Sequence, residues 1–346
     1  MQDYIIEIHE KLHYVFASVS LLLNTLLLFL IIQKSPKKLG SYKYLMMYTA
    51  VFEFTYSVWD MVTKPTCAMF RLSFIVFQNI RNPTLSRDTS YILIIIYTGF
   101  FGFSLALFAS HFVYRYGAIN PTFRTKYLSG KRIFILFVTP FLFAFWWSMS
   151  VHFTFGMTPK YTDIQRAQLK TDYRIDIDKV GYVTAIFYTL DDQDRLDPIF
   201  KTFIGTFSNS LMTSISMISV FRLGFLCYFE IANALKLTET RSRVATHLQQ
   251  QLFHALVAQT LIPLILMYIP ICILFMFPMF DIDGGMFGNA IPFTIALYPA
   301  IDPLPTMIII KSYWYAIRDG LTIISCGYCK RRNAVEPSVS VAISTL

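Results

Sequence analysis

Seven stretches of this chain run for about twenty residues with almost no charge, and no other feature restricts the fold as strongly. They fall at 14–33, 44–62, 91–114, 133–153, 202–229, 250–278 and 286–310. A helix of about 17 to 25 apolar residues is long enough to cross some 30 Å of hydrocarbon. The runs lack the strict alternation of barrel strands, so helices are expected. Composition agrees: 55% of residues are hydrophobic and 15% charged, against roughly 25% charged in an ordinary soluble chain. Two further apolar patches, 67–77 and 180–190, are too short to span and lie in connecting segments. The expected fold is an all-α membrane protein, a seven-helix bundle.

The basic residues orient it. With the amino terminus outside, the inner segments 34–43, 115–132, 230–249 and 311–346 hold 17 Lys and Arg, and the short outer segments hold 5. The long outer loop 154–201 is also basic, but loops of that length count for less in the positive-inside rule. The net charge of +9 then reads as a cytoplasmic fringe facing anionic lipid, which leaves no nucleic-acid surface to explain. Asp3, Glu7 and Glu10 precede the first run, so the first span is expected to serve as its own uncleaved signal. Asn82 and Asn120 are each followed by proline, which rules out both as glycan acceptors. Of the cysteines, only Cys67 is expected outside, so no extracellular disulfide is predicted.

The chain divides into a short outer terminus, 1–13, one membrane domain, 14–310, and a cytoplasmic tail, 311–346, with a short amphipathic helix. Within the loop 154–201, acidic ends flank a β-prone centre, a pattern that suits a short hairpin over the bundle and equally an irregular loop.

Polar residues inside the spans are few, so their depth carries information. Asn24 lies nine residues from Gln33, Glu53 nine from Tyr44 and Asp302 nine from Lys311, all at the cytoplasmic ends of their spans, and Ser104 lies eleven residues before Arg115. Buried carboxylates cost a few kcal/mol in a membrane, so these four are expected to face inward as one polar layer. It is either a static zipper between helices or a layer that rearranges. Pro263 and Pro270 stand nearly two turns apart on one face of the sixth span, and the seventh carries Pro292, Pro299, Pro303 and Pro305. Each removes a backbone hydrogen bond, which marks these two spans as the ones able to move.

Arg115 sits in "HFVYRY", 111–116, at the inner end of the third span. Its position allows snorkelling to the interface. It also matches the arginine of rhodopsin-like G-protein-coupled receptors. Together, "KKLGSYKYLMMYTAVFEF" (37–54), "HFVYRY", "QLFHALVAQTLIPLILMYIP" (251–270) and "ALYPAIDPLPTMIIIKSYWYAI" (296–317) resemble the nematode Str-type serpentine chemoreceptors, in order and at the right spacing. The resemblance implies a seven-helix receptor in the ciliary membrane of chemosensory neurons. It would bind a small volatile odorant and signal through a heterotrimeric G protein, without cofactor or catalysis. It implies a coupling role for Tyr114, Arg115 and Tyr116, and places Asp302 and Pro303 where the Asn-Pro pair of the seventh span stands. Tyr114 replaces the usual acid before the arginine, and Gln249, Gln250 and Gln251 stand at the inner end of the sixth span. An ionic latch between these spans is therefore not available.

A pocket between the third, fifth, sixth and seventh spans would offer Tyr97, Phe101, Ser208, Met212, Tyr268, Phe275, Phe293 and Tyr298. Core or lipid packing is the simpler role for each. None is charged, which favours a small neutral ligand. A transporter would show repeats or facing broken helices. An enzyme or metal protein would cluster its ligands, whereas the six His are dispersed. A ligand-gated channel of seven-span subunits is the other class considered. In the tail, Cys326 and Cys329 precede Lys330, Arg331 and Arg332. Acyl chain plus basic patch would anchor this segment to lipid, the alternative being a pair of free cytosolic thiols.

Overall fold

A computed structural model describes residues 2–36, 39–78, 85–190, 195–237 and 243–333. Twelve α-helices and five short strands are assigned among these residues. Helix α1 covers Gln2–Lys34, α2 Tyr42–Thr63 and α3 Arg87–Ile119. After the short α4, Pro121–Tyr127, come α5, Ile135–Phe155, and α6, Pro159–Tyr173. Helix α7 is Phe200–Leu237, and α8, Arg243–Pro263, continues through a π-helical turn, Leu264–Tyr268, into α9, Ile269–Met279. Helices α10, Met286–Ile301, α11, Pro303–Ile309, and α12, Lys311–Asn333, complete the chain.

Among the described residues, five helices are long and apolar enough to cross a membrane, and the bent pair 287–309 and 311–322 would make a sixth. The expected seven runs all lie in helix, yet α2 falls outside that set because Glu53 and Asp60 lower its apolar character. Helix α3 is the axis of the bundle. In its most apolar window 67% of residues are buried, against 17–33% in the other four. Lipid-facing positions of the outer helices carry large apolar side chains, such as Phe145, Phe207 and Phe225.

Close contact between α3 and α5 needs a residue without a side chain. A Cβ at Gly102 would come within 2.6 Å of Trp147 Cβ. Local chemistry sets the ends of α3: the Ser86 hydroxyl accepts from the Thr89 amide at 3.1 Å, and Asn120 closes α3 and caps α4 by accepting from Phe123 N at 2.9 Å.

One end of the all-α bundle carries a small sheet. Strands β1, Pro65–Phe70, and β2, Ser73–Gln78, form an antiparallel hairpin, and β3, Tyr182–Ile186, pairs antiparallel with β2. Strands β4, Tyr188–Leu190, and β5, Leu196–Pro198, form a second small hairpin. The loop 154–201 is thus neither irregular nor a hairpin alone. It opens with the 15-residue α6, whose exposed face is polar and whose buried face consists of Tyr161, Thr162, Gln165 and Leu169. Its apolar centre supplies β3 to a hairpin from a different loop.

Period-two alternation divides the sheet. Cys67, Met69, Phe74, Val183 and Ala185 pack on the bundle core, while Ala68, Ile75, Phe77 and Tyr182 form a smaller core with Leu169 of α6 and the neighbouring Ile177 and Val180. Gln165 Nε2 donates to Ser73 Oγ (2.9 Å) and Thr184 Oγ1 (3.0 Å), binding α6 to the sheet. Strand β1 rests directly on α10, where a Cβ at Gly288 would stand 2.6 Å from Met69 N.

Candidate functional site

Three buried zones lie along α3, and the first is polar. Proline at 303 has no N–H, so the carbonyl four residues before it, Pro299 O, loses its helical donor. Helix α1 replaces it: Ser20 Oγ donates to Pro299 O at 2.9 Å and Asn24 Nδ2 at 3.0 Å. Ser57 Oγ donates to Ser20 Oγ at 2.6 Å. Tyr298 donates its hydroxyl to Glu53 Oε1 at 3.1 Å, and the Glu53 carboxyl meets those of Asp302 and the amide of Asn24. Gln259 Nε2 on α8 reaches both Asp302 Oδ2 and Asp302 O at 3.2 Å. The structure therefore brings Asn24, Glu53 and Asp302 together. Ser104 is not part of the cluster: its hydroxyl is turned back to Phe100 O at 3.1 Å on its own helix.

Proline also explains the irregular sixth span. Pro263 and Pro270 flank the π-helical turn Leu264–Tyr268, because each leaves a carbonyl without a donor and the ladder slips around the gap. Pro299 and Pro303 act likewise on the last span, which breaks at Asp302 between α10 and α11. Beyond Ile310 the chain turns through 97° into α12. Cys326 and Cys329 lie on α12, with side chains outside the described residues.

The second zone is a cavity of about 70 Å³ beneath the sheet. Tyr56, Tyr97, Thr98, Phe101 and Trp147 form its side, Ile271, Leu274, Ile291, Pro292 and Ile295 close it from α9 and α10, and Pro65, Cys67 and Val76 roof it. Burial pushes the Cys67 thiol up to about 12, so it is a neutral wall group, not a nucleophile. Of the pocket residues expected from sequence, Tyr97 and Phe101 line this cavity.

The other expected residues have different surroundings. Ser208 accepts from Trp146 Nε1 at 2.9 Å on a face where Trp146 is 49% exposed. Met212 is buried in the core. The Tyr268 hydroxyl pairs with Ser216 Oγ at 2.9 Å, and Phe275 packs against Phe74 and Phe155 under the sheet. Phe293 lies 5.8 Å from the His13 ring, and Tyr298 belongs to the polar cluster. Sequence reading missed Tyr56, Trp147 and the strand residues, whose only signal was the short apolar patch 67–77.

The third zone surrounds Arg115 at the opposite end of α3. Its side chain is 1% exposed, which excludes a simple snorkelling arrangement here. The guanidinium carbon stands 5.3 Å from the Tyr42 ring centre, and that ring stacks on Tyr114 at 5.2 Å. The Tyr42 hydroxyl is 3.1 Å from His111 Nδ1, and His111 Nε2 is 2.6 Å from Thr49 Oγ1. Tyr116 packs on Phe123 at 4.9 Å and accepts from Asn120 Nδ2 at 3.2 Å. A cavity of about 260 Å³ lined by Tyr42, Tyr114, Arg115, Gly117 and Arg124 opens beside them. Aromatic rings on α2 and α3 thus occupy the place of the missing acid.

Among the described residues no group of three or more His, Cys, Asp or Glu could hold a metal. Squid rhodopsin superposes on 98% of this chain and 89% of its own, with a TM-score of 0.57 and 11% identity, a likeness of fold. "G-protein coupled receptor str-217" of Caenorhabditis elegans is 34% identical over 89% of this chain and 88% of that protein. "Serpentine receptor class r-10" of the same species is 29% identical over 90% and 88%. The family described as "Serpentine type 7TM GPCR chemoreceptor Str" matches residues 9–318. With the helical bundle, the proline-broken last span and the buried arginine of α3, that match shows that the chain belongs to the Str family of serpentine chemoreceptors, a non-catalytic receptor family.

Proposed function

We propose that this chain is a seven-span, G-protein-coupled olfactory receptor with its amino terminus outside, in the ciliary plasma membrane of chemosensory neurons. Its ligand is a small neutral or volatile molecule held in the cavity under the sheet, and its output is activation of a heterotrimeric G protein at the Arg115 end. The observation that carries the reading is that α3 spans both sites. Tyr97, Thr98 and Phe101 line the cavity, and Arg115, about 21 to 27 Å further along the same helix at 1.5 Å per residue, lies buried beside the opposite cavity. A displacement of α3 by ligand has a direct mechanical route to the arginine. The proline-broken spans, tied together at Asp302 by Gln259, are the elements that yield.

Expression in cultured cells with a calcium reporter, challenged with a panel of small odorants, tests this. The expected result is a ligand-evoked signal that needs a G-protein α subunit and disappears in Arg115→Ala at normal surface level. Ionic currents independent of any G protein would refute it in favour of a channel.

A further inference from the structure

Arg222 is the single lysine or arginine inside the seven apolar runs, and its depth follows from the contacts of α7. Helices α3 and α7 run side by side in one direction: Ser216 Oγ donates to Leu105 O at 2.6 Å, and Asn120 Nδ2 donates to Glu230 Oε1 at 3.4 Å. Counting from either contact sets Arg222 level with His111 and Phe112 of α3, inside the third apolar run. Asn120 and Glu230, the first polar groups toward the nearer end of the bundle, are then about 12 Å away at 1.5 Å per residue. Arg222 is exposed on the outer face of α7, where Ile218, Phe221 and Phe225 are exposed as well. Among the described residues it has no hydrogen bond, ion pair or ring contact. Ionisable groups within a membrane almost always face the bundle interior or pair with one another, and this one does neither within the chain.

Escape of the guanidinium to the nearer membrane surface is obstructed. Helical side chains lean toward the amino-terminal end of their helix, which for α7 is the sheet end and leads deeper into the apolar layer. In the other direction the rings of Phe225 and Phe229, one and two turns along, pack together with centres 4.5 Å apart. These rings belong to a straight stripe. Leu211, Ile215, Ile218, Arg222, Phe225 and Phe229 recur at alternating steps of four and three, and the five apolar members are all exposed. Such a seam is the surface on which one helix packs along another.

We propose that Arg222 and this stripe dock a transmembrane helix of a different membrane protein, one that carries an Asp or Glu at the same depth. Charge decides the occupant. A second copy of this chain has no acid to offer: the carboxylates within its apolar runs are Glu53, Asp60 and Asp302, buried at 1%, 3% and 2% exposure. A lipid phosphate lies at the membrane surface, beyond the two phenylalanines. A carboxylate brought into the same layer by a helix meets the guanidinium in a two-pronged pair, and each charge removes the cost of burying the other. The docking surface is independent of the ligand and of the cavity under the sheet.

The test keeps the full-length receptor in a cell membrane and supplies the partner as a probe, a single-span helix of Leu and Ala with one Asp placed about 12 Å from the surface at the Arg115 end. Matched probes carry Leu in place of Asp, or the Asp two turns deeper. Energy transfer between labelled receptor and labelled probe, at equal membrane levels, measures association. The Asp probe is expected to associate at least about tenfold more strongly than the Leu probe or the displaced one, an interhelical polar contact being worth about that factor. Arg222→Leu and Arg222→Gln should each abolish the preference, and Arg222→Asp should transfer it to a probe bearing Lys. Equal association of the Asp and Leu probes with wild type overturns the proposal, as does an Asp preference that survives in both Arg222 variants. Bilayer discs with and without phosphatidylserine supply the lipid arm: retention of that lipid that falls in Arg222→Gln, with no preference for the Asp probe, would assign the cation to a headgroup and overturn the helix partner.

Discussion

Removing the Tyr42 ring should raise ligand-independent signalling. Tyr42 holds the Arg115 guanidinium over its face at 5.3 Å, and both residues are buried, at 4% and 1% exposure. A cation over an aromatic face contributes about 2 kcal/mol when desolvated. If that contact belongs only to the resting arrangement, its loss in Tyr42→Ala shifts the resting-to-active ratio by about 30-fold. The hydroxyl is separable from the ring. Tyr42→Phe keeps the face under Arg115 and the stack on Tyr114, but cuts the contact with His111, so its effect should be smaller, near one hydrogen bond or about 1 kcal/mol. The measurement is basal G-protein activity per receptor at the surface, for wild type, Tyr42→Ala, Tyr42→Phe and Tyr42→Ala combined with Arg115→Ala. A basal rise in the alanine variant that vanishes in the double variant is expected. Unchanged basal activity in Tyr42→Ala at normal surface level would show that the aromatic contact does not restrain the arginine.

Glu53→Leu and Asp302→Leu each leave part of the polar cluster unpaired, and either should shift the ligand dose–response by about tenfold or more while surface delivery persists; curves superimposable on wild type for both would reduce the cluster to a passive brace. At the sheet end, the Arg166 guanidinium on Asp178 holds that carboxyl below the usual carboxylate range. Its stabilising contribution is complete above the unfolded-state pKa and disappears as pH falls below about 4, so hydrogen exchange in 159–179 should accelerate there in wild type and less in Asp178→Asn; identical acid profiles would dismiss the pair. Acyl-exchange labelling should detect Cys326, Cys329 or both on the basic end of α12, with the signal lost in the double Ser variant, whereas equal labelling of the two proteins would mean free thiols.

The membrane helices were legible because hydrocarbon thickness imposes a single length on every run, and α1, α3 and α7 merely extend past the limits set by hydropathy. Depth along a span was legible too, and it grouped Asn24, Glu53 and Asp302. Depth is only one coordinate. Each residue also turns the helix by about 100°, and that angle sends Ser104 back to its own backbone while Ser20, Ser57 and Gln259, not chosen by depth, complete the cluster. The cavity was the least legible part. Its roof requires β2 from one loop to meet β3 from another more than 100 residues later, with Val76 opposite Val183, and no local pattern specifies such a pairing. Helix α6 was missed for a different reason: its buried stripe includes Thr162 and Gln165, which hydropathy counts as solvent-facing.

The prolines connect these zones in a way that composition alone does not convey. Their usual reading is a bend, but Pro303 also creates an acceptor, since Pro299 O would otherwise be consumed within the helix. Two side chains of α1 converge on that oxygen, and one of them, Ser20, is held in turn by Ser57 of α2. One turn away, the Asp302 carboxyl and carbonyl are both engaged by Gln259 of α8, just before Pro263. The two proline-broken spans are therefore joined at their weakest backbone positions, through hydrogen bonds that a small rotation of either helix would break. Both spans also reach Glu53, through Tyr298 and Asp302. A buried carboxyl pair in that position is in contact with groups from four spans, so the Glu53→Leu and Asp302→Leu dose–response curves decide between a layer that rearranges and a static brace.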